Sequence, residues 1–286
     1  TATATLLGEI KGHPGPVTAL GFLPRSQAQL GNKENKLVVG SWSDNGAGSV
    51  KLWELTVAGG KLSAKEGPAF QGHTQGVQCL AMKKGMLATG SADGTAILWD
   101  LATGAKKHTL AAQQPVQCVA FSPSGARLAT GDRQGSVRVW DTASGALQKR
   151  GAVEEVAAHA GAVHALAFRG EDFEFLTAGA DQTLKIWSWR AKQDSAAGMI
   201  VRAHDQPVSC LALLGEATFA TGSWDRTVKL WDLRDAGFGE ERFTLVGHTG
   251  PVRALAATAN RQLLASAGND GTIRLWRAAP PLAPAK

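Results

Sequence analysis

An all-β fold is what the sequence predicts, and three observations predict it. Tryptophans recur at Trp53, Trp99, Trp140, Trp187, Trp231 and Trp276, between 41 and 47 residues apart. Each closes a unit that runs through a Gly-His or near relative, a valine a few residues on, a short apolar run, a Thr/Ser-Gly step and an Asp turn. The apolar runs, such as VQCLAM, MLATGS and AILWD, are bounded by Gly, Asp and Ser, as buried strands are, and no helical stripe of useful length interrupts them. A repeat of this length with this signature marks four-stranded propeller blades, none of which can bury its own faces alone.

Taken in order, the first unit (Gly12 to Glu54) and the fourth (Ala158 to Ser188) are loose copies, and the third (Ala111 to Asp141) is the most degenerate. The second reads GHTQGVQCLAM…LATGSADGTAILWD, the fifth AHDQPVSCLALL…FATGSWDRTVKLWD and the sixth GHTGPVRALAAT…LASAGNDGTIRLWR. Asp93-Gly94 and Asp270-Gly271 are turn dipeptides between apolar runs and close hairpins. Six units in register resemble the WD-repeat family over essentially the whole chain. The resemblance implies that each unit supplies the outermost strand of one blade and three inner strands of the next. Short strands duly precede the later units at Pro68–Gln71, Met199–Arg202 and Phe243–Val246.

Counted this way the chain makes six blades; seven, the commoner number in the family, would need about 40 more residues. Residues Thr5–Lys11 (TLLGEIK) stand where an outer strand would stand, and the last unit stops at Arg277 without one. The expectation is a closure in which the N-terminal strand pairs in the last blade, removing two exposed sheet edges. The expected domains are a propeller over residues 1–277 and a Pro/Ala-rich tail or linker over residues 278–286.

His, Thr/Ser and Asp recur with the Trp, and in WD-repeat proteins this set looks like a structural tetrad running from indole to hydroxyl to imidazole to carboxylate. Four units carry it whole: His73, Thr89, Asp93 and Trp99; His159, Thr177, Asp181 and Trp187; His204, Thr221, Asp225 and Trp231; His248, Ser266, Asp270 and Trp276. A catalytic triad would need one exposed hydroxyl beside an oxyanion hole, not four buried copies. The first unit keeps His13 and Asp44 but has Val39 at the hydroxyl place. The third has Ala112 for His and Gln134 for Asp, and is expected to be the least rigidly locked blade.

Composition adds limits. Cys79, Cys118 and Cys210 share one place in their repeats, where Ala19, Ala165 and Ala254 stand elsewhere; this reads as a small buried slot rather than a metal site. No metal, cofactor or catalytic motif is expected: there is no Walker loop, no dinucleotide fingerprint and no H-E-x-x-H, and the glycines of Asn45–Ser49 are turn chemistry. No apolar stretch is long enough for a membrane span and no signal peptide is apparent, so an intracellular, cytoplasmic protein is the default expectation. The net charge of +6 is scattered in sign. A further expectation is one domain of a longer chain.

The function this predicts is a non-catalytic protein–protein interaction scaffold or adaptor, a subunit presenting a docking face to protein or peptide partners. By resemblance, that face carries the turn before each Trp strand and the loop before each innermost strand. The place just before the turn Asp holds Trp224 and Asn269, Arg133 (before Gln134) and, with one extra residue before Asp44, Trp42; two Trps and an Arg are the types that dominate binding hot spots. Loop positions Pro14, Thr74, Asp205 and Thr249 adjoin them. The alternative is an RNA-binding or ribonucleoprotein component, with Arg133, Arg226, Lys229, Arg253 and Arg274 reaching phosphates.

Overall fold

The computed structural model describes residues 7–23, 35–42, 46–149, 154–189, 197–215, 217–233, 240–258, 260 and 262–277. These form strands and turns, with no helix among the described residues. The strands assemble into six antiparallel sheets, the blades of a β-propeller, and each sheet is a meander of strands consecutive in the chain.

The first sheet is β1 (Val17–Phe22), β2 (Asn35–Trp42), β3 (Gly48–Ala58) and β4 (Lys61–Phe70). The second is β5 (Val77–Lys83), β6 (Met86–Ser91), β7 (Thr95–Asp100) and β8 (Lys106–Ala111). The third is β9 (Val116–Phe121), β10 (Arg127–Asp132), β11 (Ser136–Asp141) and the two-residue β12 (Val156–Ala157). The fourth comprises β13 (Val163–Phe168), β14 (Glu174–Gly179), β15 (Thr183–Ser188) and β16 (Ala197–Arg202). The fifth comprises β17 (Val208–Leu213), β18 (Thr218–Ser223), β19 (Val228–Asp232) and β20 (Glu240–Leu245). The sixth is three-stranded: β21 (Val252–Ala257), β22 (Leu263–Gly268) and β23 (Ile273–Arg277).

By internal packing the chain divides into two compact units. One holds the first two sheets, β9, β10 and the later part of β11; the other holds Gln134–Val137 and the sheets that follow. Within each unit, successive sheets are sealed by the valine that opens each innermost strand. Val77, Val116, Val208 and Val252 are fully buried, and the middle strand of the preceding sheet offers a glycine or alanine beneath each. A Cβ built on Gly40 would lie 2.8 Å from Val77, on Gly90 2.5 Å from Val116, and on Gly222 2.7 Å from Val252, so only glycine admits those valines. At Val208 the floor is Ala178.

The middle strands are buried on both faces, which is why they read as near-continuous apolar runs: Leu87, Ala88, Ala96, Ile97 and Leu98 are all buried. The Asp-Gly dipeptides do close hairpins, with Gly94 and Gly271 at φ +80° and +75°. At the same place Gln182 and Arg226 hold φ of 69° and 73°, a left-handed backbone that costs a side-chain-bearing residue roughly 1–2 kcal/mol.

One irregularity recurs in every sheet. The register slips immediately after the opening valine, leaving Thr18, Gln78, Gln117, His164, Ser209 and Arg253 as bulge residues without a cross-strand partner. A bulge re-aims the side chain it carries. Thr18 Oγ1 uses its new direction to donate to the Val77 carbonyl in the next sheet, and Ser209 Oγ donates to that of Val252 at 2.5 Å.

The N-terminal closure is corrected by the structure. Residues 1–6 lie outside the described residues; Leu7–Lys11 form no strand, and the sixth sheet has three strands among the described residues. The Leu7 carbonyl instead accepts from Leu62 N at 3.0 Å, and Ile10 packs with Leu37, Leu62 and Ala64 of the first sheet. The reason is local. The β3–β4 hairpin runs 11 and 10 residues, longer than its counterparts, and its Leu62 and Ala64 pack alongside Ile10 against the buried Val39, Trp53 and Leu55. Residues 278–286, Asp44 and most of the 27–36 loop also lie outside the described residues.

Candidate functional site

Each tetrad starts from spacing. A Trp on the third strand sits opposite the residue two before the hydroxyl on the second: Trp99 pairs with Leu87 and Trp231 with Phe219. This brings each indole beneath the hydroxyl of the middle strand. Trp99 Nε1 donates to Thr89 Oγ1 at 2.8 Å, and Thr89 lies 2.8 Å from His73 Nε2, whose Nδ1 lies 3.0 Å from Asp93. The fourth and fifth blades repeat it through Thr177 and Thr221, with all three distances at 2.8 Å in each. In the sixth, Ser266 accepts from Trp276 at 2.8 Å and meets His248 at 2.7 Å, with Asp270 a further 2.9 Å on.

The proton positions follow from chemistry. Burial pushes the Asp93 carboxyl up, but the Thr95 hydroxyl, the Thr74 N–H and His73 outweigh it and hold the group below its usual range. An ionised carboxylate only accepts, so His73 Nδ1 must donate. Burial also holds the His73 and His159 imidazoles below their ordinary pKa, against the pull of Asp93 and Asp181. A neutral ring donating through Nδ1 accepts at Nε2, so Thr89 and Thr177 each accept a hydrogen bond from the indole and donate one to histidine. Every hydroxyl is spent, and Thr89, Thr177 and Thr221 are fully buried.

A fifth member escaped the sequence reading. Thr95, Thr183, Thr227 and Thr272 each donate a hydroxyl to the turn Asp, at 2.6, 2.7, 2.6 and 2.8 Å. The signal was present as a repeated Asp-x-Thr. The same carboxylates accept from the N–H of Thr74, Ala160, Asp205 and Thr249, which ties the loop before each innermost strand to the turn.

The two incomplete blades differ. In the first, Val39 leaves Trp53 Nε1 buried without a hydrogen-bond partner among the described residues, and His13 Nδ1, the atom that meets the turn Asp in the complete blades, is buried without one among them as well. The rings nonetheless keep the pose of the second blade: His13 and Trp53 stand 5.8 Å apart at 71°, His73 and Trp99 6.3 Å apart at 69°. In the third, Trp140 donates to Thr130 at 3.0 Å above the buried Ala112. Here the strands gain a lock that the sequence reading did not foresee. Arg138 Nη1 donates to Asp132 at 2.9 Å, both side chains buried.

The positions named for docking are gathered blade by blade. The N–H of Trp42, Ala92, Arg133, Ala180, Trp224 and Asn269 donates to the carbonyl of Pro16, Gly76, Pro115, Ala162, Pro207 and Pro251 respectively. In every blade the residue at that place therefore lies beside the loop before its innermost strand, and in the first, second, fifth and sixth blades that loop carries Pro14, Thr74, Asp205 and Thr249 respectively. Arg133 and Asn269 are exposed. Trp42 keeps 42 % of its surface exposed and covers the second blade's Gly76, where a Cβ would fall 2.3 Å from its Nε1.

Trp224 has more company. Its indole is 39 % exposed, stacks at 27° on His164 with centroids 6.2 Å apart, and carries the Arg253 guanidinium 4.9 Å above its ring. Arg253 Nε donates to Asn269 Oδ1 at 3.0 Å, so one patch draws on the fourth, fifth and sixth blades. Burial and the nearby Arg253 hold His164 below its usual pKa, leaving the guanidinium as the patch's charge. Sequence reading named Trp224 and Asn269 for docking but placed Arg253 among candidate phosphate contacts and left His164 unassigned. Their common signal is the bulge place after the opening valine.

The other flagged residues are accounted for structurally. Lys229 donates to Glu241 at 2.8 Å. Trp189 is buried against Phe175. Burial pushes the Cys79 and Cys210 thiols up to about 12, and no group of His, Cys, Asp and Glu among the described residues is arranged to hold a metal ion.

Repeated four-stranded antiparallel blades locked by Trp–hydroxyl–His–Asp relays define a repeat propeller. The family model described as WD domain, G-beta repeat matches residues 65–100, 104–141, 152–188, 198–232 and 239–277, and the chain belongs to that WD40 family. The chain is similar to mitochondrial division protein 1 of Neurospora crassa, 28 % identical over 274 residues, covering 86 % of this chain and 36 % of that protein. It is also similar to cilia- and flagella-associated protein 52 of Mus musculus, 24 % identical over 238 residues, 82 % of this chain and 29 % of the mouse protein. The chain thus spans about a third of the length of these relatives. The crystal structure of the computationally designed Ika8 protein shares the fold, with a TM-score of 0.69 and 24 % identity, over 95 % of this chain and 74 % of that one. No helix among the described residues is long and apolar enough to cross a membrane.

Proposed function

We propose that this chain is a non-catalytic interaction scaffold whose second unit docks an acidic protein segment at the Trp224–Arg253 patch. The observation that carries the reading is the half-exposed Trp224 indole held between His164 and the Arg253 guanidinium. A flat aromatic with a fixed cation above it offers apolar area and a bidentate donor at once, the pairing that favours carboxylate-bearing partners. Holding the patch on three blades fixes its geometry before a partner arrives, which reduces the ordering cost of binding.

Two further points support a scaffold. The His, hydroxyl and Asp sets that resemble catalytic relays have each hydroxyl engaged by an indole and a histidine, so none is available as a nucleophile. The relatives, too, are named for assemblies, cilia and flagella in one case and dividing mitochondria in the other, and not for a reaction.

The test is affinity purification from cell extract with the wild-type chain and with Trp224→Ala, Arg253→Gln and Trp42→Ala, each first shown to be folded by circular dichroism. The expected result is that the first two lose the same proteins, those proteins share acidic segments, and Trp42→Ala retains them. Unchanged capture by Trp224→Ala would remove this patch as the docking surface.

A further inference from the structure

The bulge place after the opening valine holds Thr18, Gln78, Gln117, His164, Ser209 and Arg253, so a permanent charge stands there in the sixth blade alone. The place before the turn holds Trp42, Ala92, Arg133, Ala180, Trp224 and Asn269, and of these side chains only that of Asn269 has an oxygen that can accept. The bulge cation and the acceptor thus fall in the same blade, and the register brings them together. Val252 pairs with Gly268 and Ala254 with Ala267, which sets Arg253 beside the strand end from which Asn269 follows. Asn269 is itself held, its N–H donating to the Pro251 carbonyl at 2.8 Å.

A guanidinium only donates, so the atom that takes the Arg253 Nε–H at 3.0 Å is the amide oxygen of Asn269. A carboxylate can sit with both oxygens on either of two guanidinium edges, Nε with one Nη or the two Nη groups together. With Nε spent on Asn269, the first edge is closed. The second is open: Arg253 is exposed, and no hydrogen bond reaches either Nη group among the described residues. The Trp224 ring, 4.9 Å from the guanidinium carbon, restrains the group from its face. The loop beside Trp224 carries the exposed Asp205. One cation near one carboxylate suits a planar monoanion, whereas a phosphate dianion brings a second negative charge with no second cation to meet it.

Building on docking at the Trp224 patch, we infer that Asn269 sets what the patch accepts. By taking Nε it leaves the two Nη groups for a single Asp or Glu carboxylate of the partner, received end-on, in preference to a phosphorylated side chain. Arg253 makes the contact and Asn269 is its positioning residue. Fixing the guanidinium beforehand lowers the ordering cost of binding.

The experiment is fluorescence anisotropy with a labelled, amidated Gly/Ser peptide carrying two glutamates, and with twins in which phosphoserine or glutamine replaces both. The wild type should bind the glutamate peptide, prefer it to the phosphoserine peptide and leave the glutamine peptide unbound. Asn269→Ala should weaken the glutamate peptide by about threefold to tenfold, the cost of ordering one long side chain on binding, and narrow its lead over phosphoserine. Alanine stands at this place in the second and fourth blades, as Ala92 and Ala180, so the fold should tolerate it, which circular dichroism checks. Arg253→Lys keeps the charge without the fork and should bind weakly, and adding Asn269→Ala to it should change nothing further. A merely structural role for Asn269 would weaken both backgrounds alike. That result, an unchanged affinity in Asn269→Ala, a phosphoserine peptide bound as tightly as the glutamate one, or no binding of the glutamate peptide would each overturn the inference. Capture of the same proteins by Trp224→Ala as by the wild type would instead sink the docking reading itself.

Discussion

In the second blade Thr89 accepts from Trp99 at 2.8 Å and gives its proton to His73, whereas in the third Thr130 accepts from Trp140 at 3.0 Å and finds Ala112 where the histidine would be. The second blade then ends on an ionised turn carboxylate, Asp93. The third places its charge one strand inward, as the buried Arg138–Asp132 pair at 2.9 Å. The residues at those places in the second blade are Ile97 and Ser91, both buried. The difference teaches that the blade needs its second and third strands cross-linked at the buried end, and that either a hydrogen-bond relay or an ion pair can do it. The third blade is therefore less bare than its missing His and Asp suggest.

The largest expected effect tests that equivalence. Asp132→Ala removes the carboxylate to which Arg138 Nη1 donates, and breaking a buried pair by removing one partner costs about 3–5 kcal/mol. Replacing both with the second blade's residues, Asp132→Ser with Arg138→Ile, should cost much less, because neither member of the pair is left behind without the other. Urea denaturation of the two variants decides it. A double variant as unstable as the single one would show that the pair does more than lock two strands.

Next comes a reciprocal exchange between the first and second blades. Thr89→Val copies the first blade's Val39 and strands both Trp99 Nε1 and His73 Nε2, for an expected loss of about 2–4 kcal/mol over the two unsatisfied groups. Val39→Thr does the reverse. With His13 and Trp53 already posed as their second-blade counterparts are, the new hydroxyl should accept from Trp53 and donate to His13, a gain of about 1 kcal/mol. Denaturation midpoints measure both. Were Val39→Thr to destabilise, the ring poses of the first blade would not be those of a working relay.

Much of this was legible in the sequence, and what was not has identifiable causes. The six sheets follow from the Trp spacing, and the tetrad partners from the fixed offset between hydroxyl and Trp on paired strands. The relay's fifth member was legible as well, since Asp-x-Thr recurs, but Thr two residues past a turn reads as ordinary strand chemistry. Arg138 and Asp132 could not be paired by inspection. A lone Arg on a strand resembles the partly buried Lys or Arg at that place in other repeats, such as Lys51, Lys185, Lys229 and Arg274, and only full burial reveals the partner. His164 and Arg253 lie in different repeats, and a bulge that both share turns them toward Trp224. The N-terminal segment misled because its place in the repeat predicts the last sheet, while the unusually long β3–β4 hairpin gives it a nearer apolar cover.

The smallest expected effect is pH-dependent and separates the second blade from the third most cleanly. Burial holds the folded-state pKa of His73 and His159 below that of a free imidazole, about 6.5. Below that value the unfolded chain takes up protons that the folded chain refuses, so stability is full above it and declines as pH falls through the window beneath it. Asp93 and Asp181, held low by their hydrogen bonds, add a second loss only once pH drops below the ordinary carboxylate range near 4. His13 and His164 are lowered in the same direction, so the urea midpoint of the whole chain should fall between about pH 7.5 and about pH 5.5. Native-state hydrogen exchange isolates the blades. Amides of β6 and β7 should lose protection over that range while those of β10 and β11, which carry no histidine relay, change less. Equal losses in both would mean that the two locks respond to acid alike, and that the histidines of the relay are not what titrates.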